Sequence, residues 1–421
     1  MKNKNHHKLL SFLILCCILT GCGSTLNKNL SDSSVPETVL PVMRDEGLSA
    51  PLFLKNFPRQ VALILPMSGD FQREGESILH GFLSAHYSLN QRNIGASKIR
   101  IYDTQKFQTS EEAYDQAVNE GADFVVGPLL QNSVKELSNK IAFNIPILTL
   151  NTLDVDDSLI GMYQFSLSSI DEAISTSSKV IVDQNKVGLI LAPDNEWGRQ
   201  LEAIYKSTFQ SMDGVIVESK FYDPTQKDFS SELKSSLGIS LSEKRYDRLS
   251  ANLRERINYN PRRRQDIDFI FFVAADSKTA KLLKSQLNYH LSGDKPLTIY
   301  STSTIYSVNT NLDDLNGIIF TDAPWVIDQQ TWLENLPSLL RKYWPGDAIQ
   351  SRQNAMGYDA YFLMAAISSI RNNHMEELNG ATGQLFMQED GKIRRRLAWA
   401  QLVDGEPKIQ RNLQETGNLL Y

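Results

Sequence analysis

Polar residues follow several apolar segments that we predict to be strands, and together they could form a pocket for an amino acid. Such a pocket needs an acidic group for the ammonium and hydroxyl or backbone donors for the carboxylate. Ligands of open α/β sheets bind at the carboxyl ends of the strands, where these residues would lie. Any nine loops of this kind would contain similar residues. The favoured interpretation is therefore that these residues cap helices and form turns, or that the pocket is vestigial, and not that they bind a ligand. The candidates are Ser68, Gly69, Asn151, Thr152, Asp194, Asp276, Ser301 and Thr302.

The first of these loops lies in the stretch from Val61 to Tyr87, which has the pattern of a buried strand, a tight turn and a helix. Its turn, LPMSGDFQREGES, contains neither G-x-G-x-x-G nor G-x-x-x-x-G-K-[ST], so a nucleotide held by either motif is excluded. Peptide N–H groups near Ser68 and Gly69 could still hold a carboxylate at the helix start. The favoured alternative is that Ser68 caps the helix and Gly69 permits the turn.

Motifs for enzyme chemistry are absent from the sequence. It has no H-E-x-x-H, no G-x-S-x-G and no Cys or His set with the spacing of metal ligands. His80 and His86 lie six positions apart on a predicted helix, so they point to different faces. We therefore predict no enzyme activity, no metal and no cofactor, although a glycosidase would need only two carboxylates facing a cleft.

The N-terminal residues have the pattern of an export signal that ends in a lipidation site. Basic residues and histidines precede an apolar run from Leu9 to Leu19, which is shorter than the roughly 20 residues that a membrane span needs. The segment Leu19-Thr20-Gly21-Cys22 resembles the lipobox of bacterial lipoproteins. We predict a signal peptide at 1–21 and lipidation of Cys22. By resemblance, the lack of Asp at position 23 favours the outer membrane.

The segment after Cys22 is predicted to be a flexible tether over 22–53, because it is rich in Ser, Asn, Thr, Asp and Pro and has no apolar period. The other two cysteines, Cys16 and Cys17, lie in the predicted signal peptide, so we expect no disulfide in the mature chain. The net charge of −6 argues against a general nucleic-acid binder, which should be basic.

Beyond Leu54, short apolar runs alternate with amphipathic segments, which is typical of parallel sheets covered by helices. Nine strands over about 360 residues exceed one comfortable sheet and suggest two lobes with a cleft. The predicted strands are 61–65, 99–102, 124–126, 147–150, 187–192, 215–219, 267–273, 298–301 and 318–321.

A basic segment from Glu243 to Arg264 is the first candidate for partner contact, because it carries eight basic and only three acidic residues in an acidic protein. Its apolar stripe, Tyr246, Leu249, Leu253 and Ile257, predicts a helix docked on the second lobe with its basic side outward. The functional interpretation is contact with an acidic partner, and the alternative is a solvated face. The residues proposed for contact are Arg245, Arg248, Arg262, Arg263 and Arg264.

Aromatic residues around Trp325 and Trp332 are the second candidate, because aromatics are enriched at interfaces. They are also ordinary core residues, and this alternative is favoured. Near the C-terminus, Asp390-Gly391 and Asp404-Gly405 predict hairpin turns in β-structure on the second lobe.

Several short motifs occur in an order that resembles type I periplasmic binding proteins: Leu65-Pro66-Met67-Ser68-Gly69, Val126-Gly127-Pro128, Asp194-Asn195-Glu196-Trp197-Gly198 and Gly357-Tyr358-Asp359-Ala360. The C-terminal run, from Gly380-Ala381-Thr382-Gly383 through Gly391 to Ala400, is similar to the LpoA (LppC) lipoproteins. The best-known members of that family carry a helical-repeat domain ahead of this one, and we expect only the tether here.

The resemblance implies an α/β, two-lobed type I periplasmic-binding-protein-like fold in which each lobe is a doubly wound, mostly parallel sheet. We place lobe 1 at 54–166 plus 304–377 and lobe 2 at 167–303 plus 378–421. The implied function is that of an outer-membrane lipoprotein, with its globular part in the periplasm, that binds and activates a class A penicillin-binding protein in peptidoglycan synthesis. The alternative is a membrane-tethered receptor for an amino acid, peptide or cell-wall fragment, and dye-monitored thermal unfolding against such compounds separates the two.

Overall fold

The computed structural model describes most of the chain beyond position 56, and the described residues fall within one compact unit. The predicted signal peptide, Cys22 and the tether lie outside the described residues, as do Ile257 and Trp332. The described ranges are 57–90, 97–140, 142–153, 159–253, 258–291, 296–308, 310–327, 335–345, 351–368 and 377–410.

The described chain forms strands and helices that alternate over most of its length, and we number each kind in chain order. The strands are β1 (Gln60–Leu65), β2 (Lys98–Asp103), β3 (Phe124–Val126), β4 (Ile147–Thr149), β5 (Met162–Phe165), β6 (Val187–Pro193), β7 (Val215–Tyr222), β8 (Phe269–Phe272), β9 (Thr298–Ser301), β10 (Ile319–Asp322), β11 (Leu378–Gly380), β12 (Gly383–Met387), β13 (Lys392–Arg396), β14 (Ala398–Val403) and β15 (Glu406–Ile409). The helices are α1 (Gln72–Asn90), α2 (Ser110–Asn119), α3 (Gln131–Leu137), α4 (Ser169–Val182), α5 (Glu196–Ser211), α6 (Ser230–Ser236), α7 (Ile239–Leu253), α8 (Ser277–His290), α9 (Pro324–Ile327), α10 (Asn335–Tyr343) and α11 (Arg352–Ser368).

The first sheet has eight strands in the order β11-β12-β13-β5-β4-β3-β1-β2. All neighbours from β13 to β2 pair in parallel, and β11 and β12 add an antiparallel edge. Strand β1, which lies next to the edge strand β2, is buried from Val61 to Leu65, as expected for a parallel strand covered by helices on both faces.

The second sheet has seven strands in the order β15-β14-β10-β9-β8-β6-β7. The strands from β10 to β7 are parallel, whereas β14 and β15 pair antiparallel at one edge. All four residues of β8 are buried, Phe269 to Phe272, and they supply much of the core between α5 and α8.

The two sheets confirm the α/β, two-lobed architecture, but their strand membership differs from the expected boundaries. β10 lies in the second sheet, although 304–377 was assigned to lobe 1, and β11 to β13 lie in the first sheet, although 378–421 was assigned to lobe 2. The predicted turns are present, with positive φ at Gly391, Asp404 and Gly405. Hairpin signals fix such turns but do not determine which sheet a hairpin joins.

Helices α1 and α11 pack against each other at two glycines. A Cβ built on Gly81 would lie 1.9 Å from the carbonyl oxygen of Asn354, and one built on Gly357 would lie 1.9 Å from that of Ile78. The helix backbones therefore approach more closely than any side chain would allow. Every residue of α11 from Asn354 to Ile367 is buried, so this helix is a central part of the core.

Candidate functional site

The turn between β1 and α1 is closed by Asp103 at the end of β2. Ser68 Oγ donates to Asp103 Oδ2 at 2.8 Å, and the Met67 N–H donates to Oδ1 at 3.0 Å. Burial alone would raise the pKa of Asp103, but hydrogen bonds from Ser68, Gln105 and Met67 outweigh it and lower the pKa. Gly69 has a φ of +79°, which suits a glycine turn. The Ser68 hydroxyl thus joins two strand ends, whereas the sequence favoured a helix cap.

The loop after β4 is tied to the loop after β3. Asn151 Nδ2 donates to the carbonyl oxygen of Leu129 at 3.1 Å, and its Oδ1 accepts from the Thr152 N–H at 2.9 Å. The Thr149 hydroxyl donates to the Asn151 carbonyl at 2.8 Å. Both polar ends of the Asn151 amide are therefore engaged within the chain.

The candidates of the second sheet also have partners within the chain. Asp276 caps α8 by accepting from the Thr279 N–H at 2.7 Å, and Asp194 forms an exposed ion pair with Arg199. Ser301 Oγ, which is fully buried, donates to the carbonyl oxygen of Phe272 at 2.7 Å. The hydroxyl of Thr302 is hydrogen-bonded to the hydroxyl of Thr304. The Thr304 hydroxyl donates to the carbonyl oxygen of Ala274 at 2.6 Å. The bonds of Ser301 and Thr304 join the neighbouring ends of β8 and β9, whereas those of Asp276 and Asp194 are local. A ligand pocket between the lobes remains a prediction.

A polar cluster that the sequence interpretation did not identify lies where the chain passes from β10 towards α11. Arg352, at the start of α11, donates through Nε to Asp322 Oδ1 at 2.7 Å and through Nη2 to the Ser303 carbonyl at 2.8 Å. The Asp322 side chain is only 2% exposed. Burial opposes the charge on Arg352, yet Asp322 outweighs it and raises the pKa of the guanidinium.

Glu172, in the first turn of α4, completes this cluster. Its carboxylate accepts hydrogen bonds from the N–H and hydroxyl of Ser303. Burial is the main cause that raises the pKa of Glu172 to about 7, and the neighbouring charge of Asp322 acts in the same direction. The cluster therefore links α4, the end of β9, the end of β10 and the start of α11 through hydrogen bonds and one ion pair.

A second buried ion pair joins α4 to β13. Asp171 is 1% exposed and lies 3.4 Å from Arg395 Nε and 3.5 Å from Arg394 Nη1. Burial raises the pKa of Asp171 in spite of these two arginines. The sequence alone gives no sign of this pairing, since the partners are more than 220 positions apart.

The motif Gly380-Ala381-Thr382-Gly383 wraps around the carboxylate of Asp359 on α11. The N–H groups of Ala381 and Thr382 donate to it at 2.6 and 2.7 Å, and the Thr382 hydroxyl donates at 2.6 Å. Burial raises the pKa of Asp359 to about 6 against these bonds. A Cβ on Gly380 would lie 2.6 Å from Asp359 Oδ2, so glycine is needed for the close approach. Two motifs quoted for the family resemblance thus contact each other.

The predicted basic patch is only partly a surface. Arg245, Arg248 and Arg262 are exposed, whereas Arg263 is 5% exposed and donates to the Arg264 carbonyl at 2.7 Å. Arg264 is held by Asp266 at 2.8 Å and Glu218 at 2.9 Å, which raise its pKa. Arg263 and Arg264 therefore do not face outward as expected. Arg263 is buried, and Arg264 is paired with Glu218 of β7 and with Asp266.

The apolar stripe of α7 does not dock on the second lobe as expected. Leu249 and Leu253 are 55% and 58% exposed, and Tyr246 is half-buried against the ring of Tyr259 at 4.3 Å. Tyr259 packs on the helix through this ring contact, and its hydroxyl donates to Ser242 Oγ at 3.2 Å. The helix is thus braced on one side and leaves its leucines in solvent.

Trp325, the aromatic candidate in α9, is 2% exposed and belongs to the main core, and its backbone N–H donates to the Ala381 carbonyl oxygen at 3.1 Å. It is therefore not a surface for a partner. In the described ranges, no helix is long and apolar enough to cross a membrane. No group of three or more potential metal ligands occurs among those residues either.

Comparison with known proteins gives the family. A sequence profile described as "LppC putative lipoprotein" matches residues 52–405. The chain belongs to this family. The "Penicillin-binding protein activator LpoA" of Vibrio vulnificus is 27% identical over 81% of the chain and 57% of the relative. The chain thus spans little more than half the length of the curated relatives that it matches.

Solved structures support the fold of this LppC-family chain. The LpoA (YraM) C-domain from Haemophilus influenzae, described as a regulator of PBP1A, has a TM-score of 0.63 at 23% identity and covers 84% of this chain and 100% of that domain. A "putative branched-chain amino acid ABC transporter" from Rhodospirillum rubrum has a TM-score of 0.64 at 14% identity, covering 83% of this chain and 99% of the other. Both likenesses concern the two-lobed fold.

Proposed function

We propose that this LppC-family chain is an outer-membrane lipoprotein whose globular part binds a class A penicillin-binding protein and raises its activity in peptidoglycan synthesis. The observation that carries the proposal is the similarity to relatives named penicillin-binding protein activators, 27% identical over 81% of this chain. The chain matches the region that corresponds in fold to a complete C-domain described as a regulator of PBP1A.

The proposed mechanism is allosteric, and the chain performs no chemistry of its own. An activator shifts its target only by binding the active conformation more tightly than the inactive one. A coupling free energy of about 1 to 3 kcal/mol would raise the active population roughly 5- to 150-fold where that state is rare. The internal bonds of the strand-end residues support action through a surface, since Ser68, Asn151 and Asp276 are engaged within the chain.

Lipidation of Cys22 would hold the globular part at the membrane, because several acyl chains give durable attachment whereas a single chain binds reversibly. The tether of 22–53 would then let the globular part reach away from the membrane. Labelling with radioactive palmitate, followed by membrane fractionation, tests this anchor. A Cys22→Ser chain should carry no label and should not reach the outer membrane.

The activation is tested with the purified chain and a purified class A penicillin-binding protein from the same cell. We expect saturable binding in biolayer interferometry and a faster rate of glycan polymerisation or peptide cross-linking when the chain is added. A class B synthase is the control and should be unaffected. Absence of binding at micromolar concentration together with unchanged rates would refute the proposal.

The solute-receptor alternative predicts a different result. A ligand present at 100 times its Kd stabilises its receptor by about 2.7 kcal/mol, which a thermal unfolding series with amino acids, peptides and muropeptides would detect. Such stabilisation without synthase binding would assign the chain to the receptors.

A further inference from the structure

Helix α7 presents an exposed ridge of apolar side chains. Leu241, Leu249 and Leu253 are 58%, 55% and 58% exposed. Single exposed leucines are ordinary on protein surfaces, but these three belong to one i, i+4 series. In a helix such residues lie along one row, so the three leucines share one ridge of the helix surface. Among the helix residues, only Ile239 and Ser242 are buried.

The ridge carries positive charge and no negative charge. Arg245 occupies the remaining place in the i, i+4 series, between Leu241 and Leu249, and it is exposed. Arg248 is also exposed and lies three positions after Arg245, hence on the adjacent row. The two acidic residues of the helix, Glu243 and the exposed Asp247, lie together on a different i, i+4 row, and Glu243 pairs with Lys234 at 2.8 Å. We call the surface formed by Leu241, Arg245, Arg248, Leu249 and Leu253 the α7 ridge.

We propose that the α7 ridge is the docking surface for the synthase, and that it receives an amphipathic segment of the partner in which apolar side chains flank a carboxylate. This inference rests on the proposed function, because it names the surface that the activator would use. Arginine is enriched in interface hot spots, and the exposed leucines offer apolar area that a partner can bury. The positive charge of Arg245 and Arg248 favours an acidic counterpart.

The position of Arg245 favours a protein partner over a lipid surface. A helix that lies in a membrane interface keeps its charges on the polar face and inserts an uninterrupted apolar face. Here the arginine sits within the leucine row, so insertion of the leucines would carry a guanidinium into the hydrocarbon, where it is costly. A protein can place a carboxylate opposite that arginine and form a bidentate pair.

The test uses the mature chain in two double variants, Arg245→Glu with Arg248→Glu and Leu249→Gln with Leu253→Gln. Gln keeps the helix propensity of Leu, and the altered side chains are exposed, so both variants should fold. The matched control is Lys135→Glu with Lys278→Glu, which makes the same charge change on exposed residues of α3 and α8. Thermal unfolding of all four chains verifies the fold.

We expect each ridge variant to raise the Kd for the synthase by about tenfold or more and to abolish activation, with the control within about twofold of the parent chain. Salt should weaken binding of the parent chain and of the leucine variant more than that of the charge-reversed variant.

Parent-like binding and activation by both ridge variants would overturn the inference and leave the proposed function standing. Failure of the parent chain to bind the synthase would overturn the proposed function and, with it, the inference. Binding of the parent chain to phosphatidylglycerol vesicles that is lost in the leucine variant, with synthase binding unchanged, would overturn it in favour of a lipid surface.

Discussion

Replacement of Gly357 by Ala should destabilise the protein, although alanine is the better helix former. The added methyl group would lie 1.9 Å from the carbonyl oxygen of Ile78 and 2.9 Å from the backbone nitrogen of Phe82. These are backbone atoms of α1, so no side-chain rotation relieves the contact. The helices can accommodate the methyl only by moving apart.

The expected loss follows from two opposing effects. Alanine gains about 1 kcal/mol of helix propensity over glycine in a helix interior. Overpacking of a rigid core costs typically about 1 to 3 kcal/mol, and the backbone contact with Ile78 places this site at the upper end. Separation of the helices also loosens contacts such as that between the rings of Phe82 and Tyr361, whose centroids are 5.0 Å apart. We expect a net loss of about 2 kcal/mol in the free energy of unfolding.

Urea-induced unfolding of the parent chain, Gly357→Ala, Gly81→Ala and the double variant measures this effect. Gly81 meets the Asn354 carbonyl at 1.9 Å in the same crossing, so helices already separated by one methyl should accept the second at lower cost. The double variant should therefore lose less than the sum of the single losses. Unchanged or increased stability of Gly357→Ala, or strict additivity, would refute this account of the crossing.

Three further predictions concern the buried polar groups. Glu172 has a pKa of about 7, above its unfolded value, so the native state binds its proton more tightly and stability falls as pH rises from about 4.5 to 7. Over that pH window the melting temperature of Glu172→Gln should fall less than that of the parent chain. Parallel plots of melting temperature against pH for the two chains would contradict this. Arg352→Met leaves the carboxylate of Asp322 without its guanidinium and should cost about 3 kcal/mol in urea unfolding, most of it recovered by adding Asp322→Asn. Thr382→Val removes the hydroxyl donor to Asp359 and should lower the free energy of unfolding, measured with urea, by about 1 kcal/mol. Unchanged stability would show that this hydrogen bond does not contribute.

Nine of the parallel strands in the two sheets could be predicted from sequence, because buried parallel strands are short apolar runs between polar segments. β3 and β9 occur at the predicted positions. The pattern failed for β5, where a buried Gln164 interrupts the apolar run. That glutamine is tolerated because its Oε1 accepts from the Leu153 N–H at 2.7 Å, a contact invisible to periodicity.

The surface of α7 shows a different limit. Helical periodicity correctly groups residues such as Leu249 and Leu253 on one face, but it cannot tell whether that face meets the protein or solvent. A run of arginines likewise does not reveal that Arg263 is buried while Arg262 is exposed. The polar cluster of Glu172, Asp322 and Arg352 escaped prediction because its members come from distant segments, and only the fold brings them together.

Leu397 alone separates β13 of the first sheet from β14 of the second, and its N–H bonds Ser175 Oγ at 3.1 Å. The chain also crosses between the sheets from β5 to β6 and from β10 to β11, but those connections are longer and contain helices. One residue offers only two backbone torsions, so at this crossing the ends of β13 and β14 cannot slide past each other and can only change their angle. Insertion of flexible residues at position 397 would therefore free the two hairpin ends from each other without altering either sheet's strand order.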